Sequence, residues 1–377
     1  MKKFLSAFLI LGVYVSLGTY PIQAADNLLL AKEESQLQGI RLKIDGTYSK
    51  YEVKWNDAHN RLLIDSDFAV DCFDASVEIN NNNIDIYKDE HNLHFETDNE
   101  FYIMDNLGGR KIDCLAEINK NKAYLPLRYV CEAFGASIKF DSAVQTVDIT
   151  TKAILMDDSI RAYFENVQVF DQSSIRITGE KTIYVDPRRI LGEPHDADIV
   201  FITHTHNDHY EIDSIKRVIK PSTVIYITED GVEQAKADGL TNVKGVAPNN
   251  DYEADGIRFS TVAAYNTSEE RQNHKKEYNW VGYIITINGY NYYSAGDSDF
   301  TEEMKRITKP VDVAFLPIDG KYNMGVEEAA AAANAIMPKV AVPYHYNNFV
   351  PEDKAQEFTK LLNENIKGAI VTFKMQM

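Results

Sequence analysis

The pattern of hydrophobic and polar residues divides the chain into two stretches. In residues 27–150, short segments alternate apolar and polar positions, as in residues 40–44 (IRLKI) and 93–95 (LHF). A period of two is typical of strands that bury one face. Turn-forming residues, such as those at 45–46 (DG) and 80–83 (NNNN), separate these segments. The first stretch therefore predicts a small domain that contains several short strands.

A faint internal repeat lies within this stretch. Residues 67–79 and 128–140 align at a phenylalanine, an alanine, a serine and a β-branched residue. Each copy has the pattern of a short amphipathic helix, a tight turn and a strand. Gly135 supplies the helix stop in the second copy, whereas Asp74 at the equivalent place tolerates a left-handed conformation less well. We expect a duplicated helix–turn–strand unit, and so an α+β domain.

The second stretch, residues 158–377, mixes strand-like and helix-like segments. A continuous apolar run at residues 199–203 (IVFIT) predicts a strand that is buried on both faces. Other strands are predicted at residues 167–170, 174–177, 182–185, 290–293, 340–342 and 369–373. Helices are predicted at residues 212–219, 327–336 and 354–362. Strands interspersed with helices are typical of a layered α/β domain.

The N-terminus has the composition of an export signal. Lys2 and Lys3 precede an apolar run at residues 4–17, and small residues follow at 23–25 (QAA). This order predicts a signal peptide over residues 1–25 and a secreted or cell-surface location. The alternative is a retained membrane anchor, but the run is shorter than the ~20 apolar residues that a spanning helix needs. We expect no transmembrane segment after cleavage.

The net charge of the chain indicates which kinds of molecule it can bind. The formal net charge is -18 and the isoelectric point about 4.9, so the surface repels phosphate backbones. We therefore expect a small-molecule substrate and no nucleic acid, and a nuclease activity is a distant alternative. Three cysteines allow at most one internal disulfide.

One short segment concentrates metal-binding side chains. Residues 204–209 (HTHNDH) follow the predicted buried strand and place four candidate ligands within six residues: His204, His206, Asp208 and His209. Imidazole nitrogens and carboxylate oxygens are ligands that zinc and similar metals prefer. The alternative is a polar loop whose histidines cap the next helix.

Further ligands must come from other strand ends. Asp297 follows Gly296 directly after a predicted strand, and His345 lies just past residues 340–342. A glycine before the acid lets the backbone turn the carboxylate into a cleft. The alternatives are an ordinary turn aspartate and a core histidine bonded to the backbone.

The motifs HTHNDH, AGDSD and PYHY, in that order, resemble those of the metallo-β-lactamase fold hydrolases. The nearer likeness is to a branch of metal-dependent hydrolases that includes the ascorbate-6-phosphate lactonase type, and it covers residues 158–377. The resemblance implies an αββα sandwich with metal ions at one edge of the sheets. It implies two divalent ions, zinc or alternatively manganese.

The resemblance also implies a role for each ligand. His204 and His206 would bind the first metal, and Asp297 would bridge both. The second metal would be held by Asp208, His209 and His345.

The family's third histidine on the first metal is missing. The expected position, just after a strand, holds Asn266. His274 lies nearby, and we favour it over Asn266 or a vacant position as the missing ligand. If neither residue serves, the first site loses its metal.

The resemblance further implies an enzyme that uses a metal-bound hydroxide on a small ester, lactone or phosphodiester. The predicted signal peptide makes it a secreted one. Asp208 or Asp297 could orient the hydroxide. Tyr322, Asn347 or Lys321 could donate hydrogen bonds to the substrate.

Residues 123–150 resemble the copper amine oxidase N-terminal-like domain, also called a stalk domain. The likeness rests on residues 125–128 (LPLR) and 135–136 (GA). It implies a structural appendage at residues 27–150 with a cell-wall or surface partner, and it does not imply copper. The alternative function follows from it: a non-enzymatic surface protein whose hydrolase domain has degenerated at Asn266.

Overall fold

The computed structural model describes residues 40–51, 53–56, 61–88, 91–105, 107–120, 122–134, 136–141, 143–151, 158–346 and 352–370. The predicted signal peptide, residues 1–25, lies outside the described residues. Among the described helices, none has both the length and the apolar character that a bilayer crossing requires.

The N-terminal unit contains three small sheets, with strand orders β5-β6-β7-β8-β9, β12-β13-β1-β2 and β10-β11-β4-β3. Its elements are β1 Arg41–Ile44, β2 Thr47–Tyr48, β3 Val53–Asn56, β4 Arg61–Asp65, α1 Asp67–Phe73, β5 Ser76–Asn80, β6 Asn83–Lys88, β7 His91–Glu96, β8 Phe101–Met104, β9 Gly108–Lys111, β10 Glu117–Asn119, β11 Lys122–Pro126, α2 Leu127–Ala133, β12 Ser137–Asp141 and β13 Thr146–Thr150. The α3 helix, Asp158–Arg161, leads into the second unit.

The internal repeat is visible as two helix–turn–strand units. The α1 helix leads into β5 and the α2 helix into β12, and the rings of Phe73 and Phe134 stack with centroids 4.5 Å apart. Asp74 ends α1 in the left-handed conformation, with φ of 54°. Asp74 therefore ends its helix in the conformation that glycine adopts more readily, which a short polar side chain can also take. Gly135 lies outside the described residues.

The second unit contains two larger sheets, with strand orders β14-β15-β16-β17-β18-β19 and β20-β21-β22-β23-β24-β25-β26. The elements of the first half are β14 Val167–Val169, β15 Ile175–Ile177, β16 Ile183–Val185, β17 Ala197–Phe201, α4 Ile212–Val218, β18 Ile219–Thr228, α5 Val232–Ala237 and β19 Val243–Val246. Those of the second half are β20 Asp251–Ala254, β21 Ile257–Ala263, β22 Val281–Ile287, β23 Tyr290–Ser294, α6 Glu302–Lys305, β24 Val313–Pro317, α7 Val326–Ile336, β25 Val340–Tyr344, α8 Glu352–Lys360 and β26 Lys367–Gly368.

The two large sheets face each other across an apolar core. Phe201 of the first sheet contacts Phe259 of the second, with ring centroids 4.8 Å apart, and Phe315 belongs to the same buried cluster. On the outer face of the first sheet, α4 and α5 bury residues such as Ile215. On the outer face of the second, α6, α7 and α8 bury residues such as Phe358. The αββα sandwich that the resemblance implied is confirmed.

The last strand differs from the prediction. We expected a strand at residues 369–373, but β26 pairs Lys367 and Gly368 with Val340 and Ala341 of β25. The amide of Ala369 still donates to Ala341 O at 3.0 Å, so the pairing ends just beyond the assigned strand. Residues 371–373 lie outside the described residues.

The N-terminal unit packs directly on the hydrolase-like unit. Gly108 forms a β-bridge with Ile190, and the amides of Leu191 and Gly192 both donate to Leu107 O at 2.9 Å. The buried apolar cluster of the N-terminal unit continues into Ile190 and the α4 helix. Contacts with the N-terminal unit therefore hold the loop after β16, at residues 187–192, in place.

Gly282 lies at a close approach of β22 to the backbone at the end of β23. A Cβ atom at this position would lie 2.6 Å from Ser294 O and 2.8 Å from Ala295 O. Both atoms belong to the backbone just before Asp297, so they cannot rotate away. Only a glycine fits this approach without a shift of the sheet.

We predict that Gly282→Ala lowers the free energy of unfolding by about 1–3 kcal/mol, because the methyl group overpacks the sheet. Urea denaturation followed by circular dichroism measures this loss. Gly109→Ala is the matched control, since its Cβ would meet mainly the end of the Leu191 side chain, which can move. An equal loss in both variants would contradict the explanation.

Candidate metal centre

Two clusters of ligand side chains lie where the strands of both sheets end. The first contains His204, His206 and His274, and the second contains Asp208, His209, Asp297 and His345. Within each cluster, the potential ligand atoms lie within 4.8 Å of one another. The structure therefore brings together the residues that the sequence selected, including His274.

Sharp backbone turns follow three of the strands that end at the site. Asp186, Gly296 and His345 each follow a strand and have φ of 43°, 64° and 56°. This left-handed region is uncommon for residues other than glycine, and non-glycine residues in it concentrate at functional sites. The turn at Gly296 delivers the carboxylate of Asp297, as its sequence position indicated.

His274 reaches the first cluster because a loop is folded back on itself. Asn266 Oδ1 accepts from the His274 amide at 2.9 Å, and the Asn266 amide donates to His274 O at 2.6 Å. The buried carboxylate of Asp299 accepts from the amides of Thr267 and Ser268 and lies 2.9 Å from Arg271 Nε. Asn266 is thus the anchor of the loop that carries His274.

Asp297 faces both clusters with different oxygens. Its Oδ1 lies 3.3 Å from His209 Nε2 and 3.2 Å from His345 Nε2. Its Oδ2 lies 3.5 Å from His274 Nε2. Asp208 Oδ2 completes the second cluster at 3.6 Å from His345 Nε2. The carboxylate of Asp297 has the geometry of a bridge between two sites.

Asp186 fixes the rings of the HTHNDH segment from below. Its buried carboxylate accepts from the amide and the hydroxyl of Thr203 at 2.8 and 2.7 Å, and it lies 2.8 Å from His209 Nδ1. The hydroxyl of Thr203 in turn lies 3.0 Å from His204 Nδ1. With Nδ1 occupied, both rings present Nε2 to the cleft.

The other two buried histidines are held in the same way. His345 Nδ1 lies 3.1 Å from Asp319 Oδ2 and 3.3 Å from Asn323 Nδ2. His274 Nδ1 lies 3.1 Å from the backbone oxygen of Tyr322. Each ring therefore has one nitrogen bound to the protein and the other directed into the cleft.

These clusters have the donor set and the spacing of metal sites. Four buried atoms that converge here, His209 Nε2, His274 Nε2, His345 Nε2 and Asp297 Oδ1, form no aligned hydrogen bond among the described residues. Buried polar atoms are rarely left without such partners. Zinc–nitrogen bonds of about 2.0–2.1 Å place tetrahedral ligands about 3.4 Å apart, close to the separations seen around Asp297. The residues present therefore fit a divalent metal.

The histidines of the two clusters differ in their electrostatic surroundings. In the first cluster, burial lowers the pKa of His274 to about 4 and the pKa of His204 well below its ordinary value. In the second, burial opposes protonation, but the carboxylates of Asp297 and Asp186 outweigh it and raise the pKa of His209 to about 10. The pKa of His345 is raised too, since Asp297, Asp208 and Asp319 outweigh its burial. Without a metal, protons thus supply the positive charge that the second cluster needs.

The structure treats differently the three residues that we expected to donate hydrogen bonds to the substrate. Tyr322 contributes its backbone carbonyl to the position of His274, and the role of its hydroxyl stays a prediction. Lys321 is exposed, with its Nζ 4.7 Å from the centroid of the Tyr322 ring. Asn347 lies outside the described residues.

Sequence reasoning missed the residues that position the ligands. Asp186 and Asp319 were not assigned a role, although each is an acid at the end of an apolar strand, the same pattern that identified Asp297. Trp280 was also missed. Its ring centroid lies 4.7 Å from those of His204 and His206, and its Nε1 donates to Asp230 at 2.9 Å.

Comparisons with known families agree with this geometry. A sequence model of the beta-lactamase superfamily domain matches residues 166–345. A model of the copper amine oxidase N-terminal domain matches residues 43–149 and again residues 106–198. Both resemblances are therefore confirmed, and the second match of the N-terminal type runs past the loop after β16.

Individual relatives match about half of the protein. A crystal structure from Parabacteroides distasonis, provisionally assigned as a metal-dependent hydrolase, has 31% identity and a TM-score of 0.48 and covers 54% of this chain and 91% of that one. A UPF0173 metal-dependent hydrolase of Pyrococcus abyssi is 30% identical over 54% of this chain and 95% of its own length. One of Listeria innocua is 33% identical over 53% of this chain and 93% of its own length. Since the chain is at least 30% identical to the Pyrococcus and Listeria proteins and covers nearly all of both, it belongs to the UPF0173 family of metal-dependent hydrolases, which have the metallo-β-lactamase fold.

Proposed function

We propose that the protein binds two divalent metal ions, zinc or alternatively manganese, and hydrolyses a small ester, lactone or phosphodiester outside the cell. The observation that carries the proposal is the carboxylate of Asp297, which directs one oxygen to each of two adjacent ligand clusters. Metal pairs of this kind serve hydrolysis at carbonyl and phosphorus centres. The extracellular setting rests on the composition of residues 1–25 alone.

The ligand sets assign the two ions. His204, His206 and His274 would hold the first, and Asp208, His209 and His345 the second, with Asp297 shared. A divalent ion in such a site acts as a Lewis acid and lowers the pKa of a bound water. The protein orients the histidine rings, provides the charged carboxylates around the ions and leaves a route by which substrate can reach them.

Access to the site runs past His206 and Asp208. These two ligands are half-buried, whereas His204, His209 and His274 are at most 1% exposed. Burial would raise the pKa of Asp208, but His345 and His209 outweigh it and lower this pKa, so Asp208 is ionised at neutral pH. Its carboxylate is placed to accept a hydrogen bond from an attacking water and so to orient it. The ring of Trp280 packs against all three histidines of the first cluster.

The non-enzymatic alternative loses its motivation. It rested on the absence of a histidine at Asn266, and His274 occupies the first cluster instead, held there by Asn266 itself.

We predict that adding zinc to metal-free protein at pH 7 releases at least about two protons per chain, because His209 and His345 must deprotonate before they can bind a metal and a zinc-bound water ionises near neutral pH. Zinc affinity at the second cluster therefore rises with pH from 7 towards 10, whereas the neutral histidines of the first cluster add no such dependence above pH 6.5. Proton release is measured by titration in weak buffer. His274→Asn is the control: it lowers the zinc content and leaves the proton yield unchanged. Zinc binding without proton release would contradict the charge assignment.

We predict that Asp186→Asn weakens zinc binding about 10- to 100-fold, since ring orientation by outer carboxylates contributes about this much to metal affinity. Competition with a chromophoric chelator measures the affinity, and circular dichroism checks the fold. Thr203→Ser keeps the hydroxyl and should keep the affinity. Unchanged binding in Asp186→Asn would remove its positioning role.

The proposed activity is tested with metal-loaded protein on 4-nitrophenyl esters, a γ-lactone and bis(4-nitrophenyl) phosphate. We expect hydrolysis of at least one substrate, and a loss of about 100-fold or more in kcat/KM for His206→Ala and Asp297→Asn, because metal stabilisation of developing charge amounts to several kcal/mol. Elemental analysis reports the metal content of each variant. The proposal fails if the zinc and manganese forms hydrolyse nothing, or if His206→Ala keeps full activity.

A further inference from the structure

Arg188 lies beside the second cluster with donors to spare. Its Nε lies 2.9 Å from Asp171 Oδ2, and its Nη1 lies 3.7 Å from Asp208 Oδ2. Only 15% of the side chain is exposed, and neither Nε nor Nη1 forms an aligned hydrogen bond among the described residues. A guanidinium has five N–H donors, and a buried one normally uses most of them. The guanidinium of Arg188 thus lies beside the cleft with N–H donors that have no aligned acceptor among the described residues.

Neutralisation of Asp171 does not explain Arg188. The other oxygen of Asp171 already accepts a hydrogen bond from Arg189 Nη1 at 3.1 Å. Two arginines therefore surround one buried aspartate, so Asp171 alone does not balance their charge. Asp208 Oδ2 lies at similar distances from Arg188 Nη1, 3.7 Å, and from His345 Nε2, 3.6 Å, and this carboxylate would serve as a ligand when a metal is bound. The guanidinium therefore lies at the edge of the second cluster, beside a carboxylate that it shares with His345.

The loop that carries Arg188 is fixed along its length. The amide of Arg188 donates to Ser174 Oγ at 3.1 Å, and that of Arg189 to Glu211 Oε2 at 2.7 Å. The amide of Ile190 donates to Ser214 Oγ at 3.0 Å, and the β-bridge to Gly108 follows. Asp186, which orients His209, lies only two residues before Arg188. The guanidinium is therefore held in register with the second cluster, as a substrate-binding group must be.

We infer that Arg188 binds an anionic group of the substrate beside the second cluster, so that the enzyme acts on esters that carry a phosphoryl or carboxylate oxyanion. The inference rests on the proposed hydrolysis at this same site. The planar fork of a guanidinium matches both kinds of oxyanion through paired N–H donors. With two divalent ions bound, the positive charges of the ions and Arg188 would exceed the negative charges of Asp208 and Asp297, so the cleft would favour an anion.

The kinetic test compares substrates that share one leaving group. With bis(4-nitrophenyl) phosphate and the 4-nitrophenyl monoester of adipic acid, we expect Arg188→Met to lower kcat/KM about 10- to 100-fold, mainly through KM, as for loss of a hydrogen bond to a charged group. With neutral 4-nitrophenyl acetate, we expect a change of less than about threefold. Whichever anionic substrate shows the larger drop identifies the oxyanion as phosphoryl or carboxylate. Arg188→Lys, which keeps the charge, should recover part of the loss.

Arg189→Met is the matched control. It removes the same charge from the same loop and from the same Asp171, but Arg189 packs over Phe101 and away from the cluster, with its guanidinium carbon 5.6 Å from the ring centroid. We expect it to leave the preference for anionic over neutral substrate unchanged. An equal effect of both variants, or an equal loss on neutral and anionic substrates, would overturn the role of Arg188.

A binding measurement separates this inference from the proposed activity. Calorimetric titration of the zinc-loaded protein with inorganic phosphate, and separately with acetate, should show saturable binding of at least one anion. Arg188→Met should weaken it about tenfold or more, and Arg189→Met should not. If the wild type binds the anion through Arg188 but hydrolyses nothing, the proposed function fails and the anion site stands. If hydrolysis occurs and Arg188→Met binds both anions as the wild type does, the anion site fails alone.

Discussion

The carboxylate of Asp297 is removed from water, and the rest of the site follows from that constraint. Its side chain is 3% exposed, and an isolated buried carboxylate costs several kcal/mol unless positive charge compensates for it. His209 and His345 supply that charge as protonated rings when no metal is bound, and their approach to Oδ1 reflects it. A divalent ion would supply the same charge at the same place. Positive charge would therefore compensate for the buried carboxylate in either state.

A second layer of residues makes this exchange specific. Asp186, Asp319 and the carbonyl of Tyr322 each occupy the Nδ1 side of a buried histidine, which leaves Nε2 for the cleft. Because these partners lie at the ends of different strands, the two sheets must be correctly packed before the rings can align. The metal centre and the sandwich core are in this sense one structure.

The sequence was most informative where chemistry and local pattern coincide. Residues 204–209 place four candidate ligands after a buried strand, and the glycine before Asp297 indicates a backbone turn. The roles of these residues could therefore be predicted from the local sequence alone. The position of His274 was harder, since it depends on contacts of Asn266 and Asp299 that join segments distant in sequence. The positions of Asp186 and Asp319 followed a pattern already recognised in Asp297, but an acid after a strand is common, and only burial distinguishes these two. The contact of the N-terminal unit with the loop at residues 187–192 could not be predicted from the sequence. Complementary surfaces of two units produce no periodic pattern of hydrophobic and polar residues.

The left-handed backbone of His345 has a consequence for how this site can evolve. At φ of 56°, an L-residue is tolerated best when it is asparagine, aspartate or histidine, the non-glycine types most enriched in this region. Ligation of a divalent metal admits a partly overlapping group that also contains cysteine and glutamate. Only the residue types that belong to both groups satisfy both requirements. Substitutions tolerated at position 345 are therefore confined to a few short polar residues. A lineage that exchanged its metal for a softer one would have to rebuild the turn at His345 before it could recruit a thiolate there.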